Sequence, residues 1–540
     1  MRDGIARGAK KLFLKLIENN KKVIVFLFFF GFLFIGLNIF NDYGVHCDEY
    51  SNQAFGKRWG SHILDVVSKG FSTYSVPIHD ETSHDLIHGP AFELFLVFVE
   101  KKLLNLTDSR DVILMRHLFT FLVFYLSVFF FYLLCKFHFK SWKIGLLGSL
   151  FLILHPRIFS DSFYNSVDIL FLCFYVISAY TLIRYLEKKT FPRVVFHPLT
   201  CAILVDIHVA GVILPLATFI IFATDLLRFR EDKEEIRKIT KTILVYALLL
   251  IAFTLLFWPL LWQNPIGNFF RALAATLKFR RQEIPPWYYN LKWIVVTTPL
   301  LYSFGFFVGF LISIKALFKD PIKFYPQNRT VLIAIFLFSV PIILPIVFKT
   351  TLYDGWRHHY FIYPIFLIFS LVGLVTSFKF IKIKFHGLSY KIINTAFIFI
   401  IVSSLINTVL FMVKYHPHQY VYGNILAGKD MRRAKYQFAL DYWGLSYREA
   451  LEYVLKNDKN KIIKLNVANL PGSLNANIFP LNDRKRLMYV SNPDNADYIL
   501  DNYGDLGEYE WLRRKYAHKK EYYSIKVGEV KFMVVYKLKE

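Results

Sequence analysis

The sequence predicts a polytopic α-helical membrane protein of about 11 transmembrane helices, followed by a small C-terminal extracytoplasmic α/β domain. Three observations carry that prediction. Of 540 residues, 55% are hydrophobic and 18% aromatic, far from the make-up of a soluble enzyme. Apolar windows of roughly 18 to 24 residues recur, each long enough to cross ~30 Å of hydrocarbon at ~1.5 Å per residue. The formal charge of +25 comes from Lys and Arg concentrated in short segments between those windows, the distribution that topology imposes, so no nucleic-acid partner is expected.

Taken in order, a basic N-terminus precedes a first span at 23–40, which is too long for a signal-peptide core and lacks a small-residue cleavage site. Basic loops stay cytoplasmic, so the N-terminus is expected inside and residues 42–111 form a long outer loop. Its stretch 91–106 is interrupted by Glu93, Glu100, Lys101 and Lys102 and reads as an interfacial helix. Spans at 112–135 and 144–155 lead to a short outer loop, 158–165, holding Asp161. A fourth span runs from Asp168 to Arg184, and two shorter segments flank Asp206-Ile207-His208 as a hairpin. A seventh span ends at Trp258-Pro259 and opens a second outer loop to Lys292. Spans at 293–314 and 330–348, one ending in Lys379, Lys382 and Lys384, and one at 391–413 complete about eleven crossings. Residues 1–415 are thus the membrane domain.

From 416 to 540 the hydropathy falls. A helix near 446–455, a strand near 461–467 and a hairpin about Gly528 predict an extracytoplasmic α/β domain. Three of the four cysteines, Cys135, Cys173 and Cys201, lie in apolar segments, and only Cys47 is in a polar loop, so no disulfide framework is implied.

With orientation assigned, the polar residues worth a chemical role collect on the outer face. Asp48 and Glu49 follow the first span, where an unpaired carboxylate is costly without water, a cation or a proton to share. Hard carboxylate oxygens also make this pair the candidate ligands for a divalent metal cation. Asp161 and Asp168 are the next candidates. Helix capping alone would account for Asp168, and a surface ion pair with Arg157 for Asp161. Arg357 enters an apolar span within Tyr353-Asp354-Gly355-Trp356-Arg357-His358-His359, and a guanidinium matches phosphate oxygens. Snorkelling at the interface is its bland alternative, as packing is for His358. Arg157, Arg58, Lys349 and His358 could hold substrate beside it, and Trp287 and Tyr288 in the second outer loop could stack on a sugar or sit at the interface. Carboxylates and cations on one face suit a reaction in which a base deprotonates an acceptor while cations hold a phosphate leaving group. No phosphate-binding glycine loop or CxxC pair occurs, which argues against a nucleotide-driven pump.

The stretches HPRIFSDSFYNSVD, FWPLLWQNPIGNF, PPWYYNLKWIVVTTPL and YDGWRHHYFIYP, with the outer-loop Asp-Glu after the first span, resemble the C-type (GT-C) membrane glycosyltransferases. The resemblance is to the branch holding the protein O-mannosyltransferases and the lipid A aminoarabinose transferase, and it covers residues 20–420. It implies transfer of a sugar, with inversion, from a polyprenyl-phosphate carrier to an acceptor on the outer face of the membrane. The acceptor would be a protein, lipid A or another envelope glycan, and the location a bacterial inner membrane. Asp48 then corresponds to the base, with Glu49 beside it, and Asp161 or Asp168 to a second acid. Metal dependence varies across that superfamily. A lipid-linked-sugar flippase without bond formation is the competing expectation.

Overall fold

The computed structural model describes residues 17–70, 84–279, 284–319, 321–428, 440–503, 514–516 and 518–539, with His84 and 321–327 as backbone only. Against the eleven crossings expected, the described residues hold nine helices long and apolar enough to span a membrane, or ten if the bent pair Trp142–Ile153 and Pro156–Tyr164 is one span. The helices used below are α1 (Lys21–Ile39), α2 (Glu49–Lys69), α3 (Ala91–Phe98), α4 (Ser109–Phe139), α5 (Trp142–Ile153), α6 (Pro156–Tyr164), α7 (Asp168–Glu187), α8 (Phe191–Ile207), α9 (Ile213–Arg228), α10 (Lys233–Phe257), α11 (Leu300–Lys319), α12 (Pro321–Val347), α13 (Tyr363–Lys384), α14 (Gly387–Lys414) and α15 (Tyr447–Asn457). The remaining two expected spans, α5 and α8, have 12 and 17 residues and are too short alone; α5 reaches the length only together with α6.

Four sequence expectations change in detail. The loop expected at 158–165 is the helix α6, which starts at Pro156 with His155 capping Ile158 N–H (3.2 Å) and bends 71° from α5. Pro at the first helical turn loses no hydrogen bond there, which is why a run read as loop is helical. The outer loop 42–111 contains the 21-residue helix α2, whose mixed composition hid it from a search for apolar windows. The interfacial stretch is α3 continued by a short π-helical turn, Val99–Leu103. The span expected at 293–314 is broken: a short helix, Tyr289–Thr297, stops before Pro299, and α11 starts beyond it.

Helices α4, α7, α11 and α13 form the packed centre; the apolar windows of α7 and α13 are each 72% buried, those of α10 and α14 only 11%. Close approach of α11 and α13 depends on small residues, since a Cβ on Gly373 would fall 1.9 Å from Gly305 O.

The C-terminal part is a five-stranded sheet in the order β2-β1-β3-β5-β4, where β1 is Ile463–Val467, β2 Leu487–Tyr489, β3 Tyr498–Asp501, β4 Glu521–Val527 and β5 Val530–Lys537. β1 pairs in parallel with β2 and β3, whereas β5 runs antiparallel to β3 and β4. The sheet carries α15, and the whole unit docks on the end of the helical bundle where α4 begins and α1 ends. Arg484 pairs with Asp108 before α4, and Arg448 Nη1 donates to Tyr43 O (2.7 Å) after α1.

Candidate functional site

The segment between α1 and α2 is held from both sides. Asn475 of the C-terminal part accepts the Val45 N–H at Oδ1 (2.8 Å) and donates from Nδ2 to Val45 O (3.1 Å) and Gly444 O (3.0 Å). Gly44 lets the two backbones meet, because a Cβ there would lie 2.4 Å from Leu445 O. From the membrane side, Glu49 in the first turn of α2 accepts the His46 N–H (2.7 Å) and the Nε2 of His117 on α4, at 3.1 Å from both carboxylate oxygens. Glu49 is buried and turned away from Asp48, as adjacent residues at a helix start must be.

Asp48 precedes that start without a side-chain capping bond and faces a cavity of about 180 Å³ lined by His46, Asn52, His88, Asn165, Asp168, His208, Arg357, His358 and Trp443. It forms no ion pair among the described residues; its Oδ1 has only the Cys47 thiol at 3.5 Å. Burial raises its carboxyl above the ordinary range, and the Arg357 charge opposes that shift. His46 accepts the Asp48 N–H at Nδ1 (3.0 Å), which leaves the ring proton on a buried, unpartnered Nε2. Burial and Arg357 hold that imidazole well below its usual range, so it is neutral at physiological pH.

On the opposite wall, Arg357 opens the 3-10 turn that leads into α13. Its Nη1 donates to Asp168 Oδ2 (3.0 Å) and its Nη2 to Asp354 Oδ2 (3.2 Å), while Nε is buried without a partner. Asp354 and Gly355 both adopt positive φ (54° and 73°), and that turn folds Asp354 back onto the guanidinium. Asp168 is fixed in turn by Asn165, which donates from Nδ2 to Asp168 Oδ2 (2.9 Å) and accepts the Asp168 N–H (3.0 Å). Trp443 lies 4.6 Å from the guanidinium and packs against His46 with the rings tilted by 39°, so the C-terminal part supplies one wall.

The other residues singled out from the sequence lie elsewhere. Asp161 is buried inside α6, where it accepts from Tyr164 OH (2.6 Å), and it does not line the cavity. Arg157 donates to Tyr422 O (2.8 Å) and packs on Trp293. Arg58 pairs with Asp85 (2.7 Å), Lys349 is exposed, and Trp287 and Tyr288 are exposed at 66% and 47%. His358 does line the cavity. Sequence reading overlooked Asn165, Trp443, His88 and His208 as wall residues and discounted His46. Asn165 lies within a stretch already singled out, but no local signal marked Trp443, 395 positions from Asp48.

Two further features set the chemistry. A second cavity of about 160 Å³ adjoins the first through Phe171, His208, Phe279, Tyr353 and His358, and its far wall is apolar, including Ile213, Pro341, Leu344 and Phe361. Among the described residues, His46, Cys47 and Asp48 present ligand atoms within 4.8 Å of one another and form the candidate cation group, in which His46 would bind through Nδ1 by giving up the Asp48 N–H; Glu49 is committed to His117. Two carboxylates already on one guanidinium, plus Asp48, leave the site with excess negative charge, which favours a cation there.

No protein-family model and no curated protein sequence matches this chain. The structure is similar to that of ArnT from Cupriavidus metallidurans in the apo state, at 10% identity and a TM-score of 0.45 over 95% of this chain and 98% of that one. The same protein bound to undecaprenyl phosphate gives 10% identity and a TM-score of 0.43, over 96% and 98%.

Proposed function

We propose that this chain is an inverting GT-C glycosyltransferase that moves a sugar from a polyprenyl-phosphate carrier to an acceptor on the outer face of a bacterial inner membrane, its N-terminus cytoplasmic. The observation that carries the reading is the pairing, across one small cavity, of an unpaired carboxylate at Asp48 with a fixed guanidinium at Arg357. The adjoining apolar cavity suits the start of a prenyl tail, and the polar one the phosphate and sugar.

Asp48 takes the proton from the acceptor as its oxygen or nitrogen attacks the anomeric carbon, and the carbon–oxygen bond to the phosphate breaks with its electron pair leaving on the phosphate. A raised carboxyl pKa makes Asp48 a stronger base than a solvated aspartate. Arg357, with Nε free, donates to the departing phosphate, and Asp168 and Asp354 keep the guanidinium from swinging away. A divalent cation, when bound by His46, Cys47 and Asp48, supplies further neutralisation of phosphate charge.

Purified protein in detergent with a labelled polyprenyl-phosphate sugar and a candidate acceptor tests this. Transfer yields product without sealed compartments, and Asp48→Asn abolishes it while the protein stays folded. Product formation by Asp48→Asn at the parent rate would remove Asp48 as base, and transport without product would favour a flippase. Mass spectrometry of glycolipids and glycoproteins with and without the protein identifies the acceptor class.

A further inference from the structure

A cavity larger than either of the two at the Asp48 site lies away from it. It measures about 940 Å³ and lies where α4 and α7 end: Arg184 is 16 residues along α7 from Asp168, roughly 24 Å at ~1.5 Å per residue. Its floor is apolar, formed by Leu133, Val331, Ala334, Ile368 and Phe369, and its rim carries Lys136, Lys140 and Arg184 against the single carboxylate Glu187. A second cavity, of about 820 Å³, lies on the other side of the α4 terminus, between α1 and α4, with Phe26, Phe29 and Phe129 in its wall. Leu133, Lys136 and Lys140 belong to both cavities, so the two lysines form a cationic ridge between two apolar hollows.

Arg184 is partly neutralised by Glu187 at 2.7 Å, and Lys21 by Glu18 at 3.3 Å. Lys136 and Lys140 pair with no carboxylate among the described residues; Lys136 lies 5.6 Å from the Tyr132 ring, and Lys140 ends α4 with positive φ (51°). Unneutralised cations at headgroup level, above two apolar hollows, are complementary to one kind of occupant: an amphiphile with an anionic head and more than one chain.

We propose that Lys136 and Lys140 form a binding site for an anionic glycerophospholipid of the leaflet at the Arg184 end of α7, its phosphate on the two lysines and its acyl chains divided between the two hollows. The site is separate from the reading above and does not depend on it.

The test uses the full chain in detergent, following binding by native mass spectrometry and thermal shift with phosphatidylglycerol, phosphatidylcholine, undecaprenyl phosphate and inorganic phosphate as separate probes. Phosphatidylglycerol is expected to bind and raise the melting temperature. Lys136→Gln with Lys140→Gln is expected to weaken that binding about thirtyfold, since each lysine near an anionic headgroup contributes ~1 kcal/mol. Both lysines are exposed, so the lipid-free protein is expected to melt as the parent does, and Lys136→Arg with Lys140→Arg is expected to retain binding. Equal binding of phosphatidylcholine, or unchanged phosphatidylglycerol binding by the Gln variant, would overturn the proposal. Saturation by inorganic phosphate alone would make this a free-anion site, and preference for undecaprenyl phosphate a carrier site; either result also overturns it.

Discussion

Arg357 and Asp168 meet across 189 positions of sequence in a buried ion pair, Nη1 to Oδ2 at 3.0 Å, with side chains only 11% and 9% exposed. A pair so buried contributes little net stability, because desolvation offsets attraction, but removing one partner strands the other. Asp168→Asn leaves the guanidinium with Asp354 alone, so it is expected to destabilise the protein by about 2 kcal/mol, seen as a lower melting temperature. Arg357→Lys keeps the charge but not the forked geometry, so it is expected to stay folded and lose at least about tenfold in transfer rate.

Asp48 makes an unusual stability prediction. Folding raises its pKa above the ordinary 3.8, so the folded chain holds the proton more tightly than the unfolded one. Its contribution to stability accordingly falls as pH rises from near 3.8 to the raised value, and stays low above it. Asp48→Asn is expected to melt higher than the parent at neutral pH while being inactive, the trade-off of a group kept for chemistry. The parent's kcat/KM is expected to rise with pH through the raised Asp48 pKa, a midpoint measured by steady-state assays from mildly acid pH upward.

Glu49 braces and does not face the cavity. Glu49→Gln keeps a carbonyl for the His46 N–H but loses the charged partner of His117, so we expect kcat to fall about tenfold with little change in donor KM, and less than for Asp48→Asn. A loss as severe as that of Asp48→Asn, with the fold intact by thermal melt, would return Glu49 to the chemistry.

Asn475 tests whether the C-terminal part shapes the site. It is fully buried and hydrogen-bonds both the N–H and C=O of Val45, 430 positions away. Asn475→Ala leaves two backbone groups unsatisfied, a cost of about 2 kcal/mol, and is expected to lower activity although Asn475 does not line the cavity. Parent-like activity and melting temperature would show that the Asp48 segment holds its shape without the clamp.

Chelation tests the cation. Excess EDTA is expected to lower the transfer rate, with recovery on adding Zn²⁺ or Mn²⁺, which suit imidazole, sulfur and carboxylate donors, and Cys47→Ser is expected to weaken that recovery less than His46→Ala. An unchanged rate after exhaustive chelation would leave Arg357 as the sole countercharge to the phosphate.

What the sequence determined by itself was the part of the structure governed by one-dimensional physics. Runs of apolar residues must span, charged segments must not, and helix ends therefore place Asp48, Asp168 and Arg357 at one face. Local rules failed where the signal was mixed: α2 is too polar to stand out as a span, and α6 follows a His-Pro pair that reads as a turn. Tertiary structure alone decided which polar residues share a cavity. Asp161 and Asp168 looked alike in sequence, yet one is spent on Tyr164 and the other on Arg357, and Asp48 and Glu49 part because adjacent helical side chains diverge. Trp443 and Asn475 reach the Asp48 segment only because the sheet of residues 463–537 docks on the bundle, a long-range packing event that no window of sequence encodes.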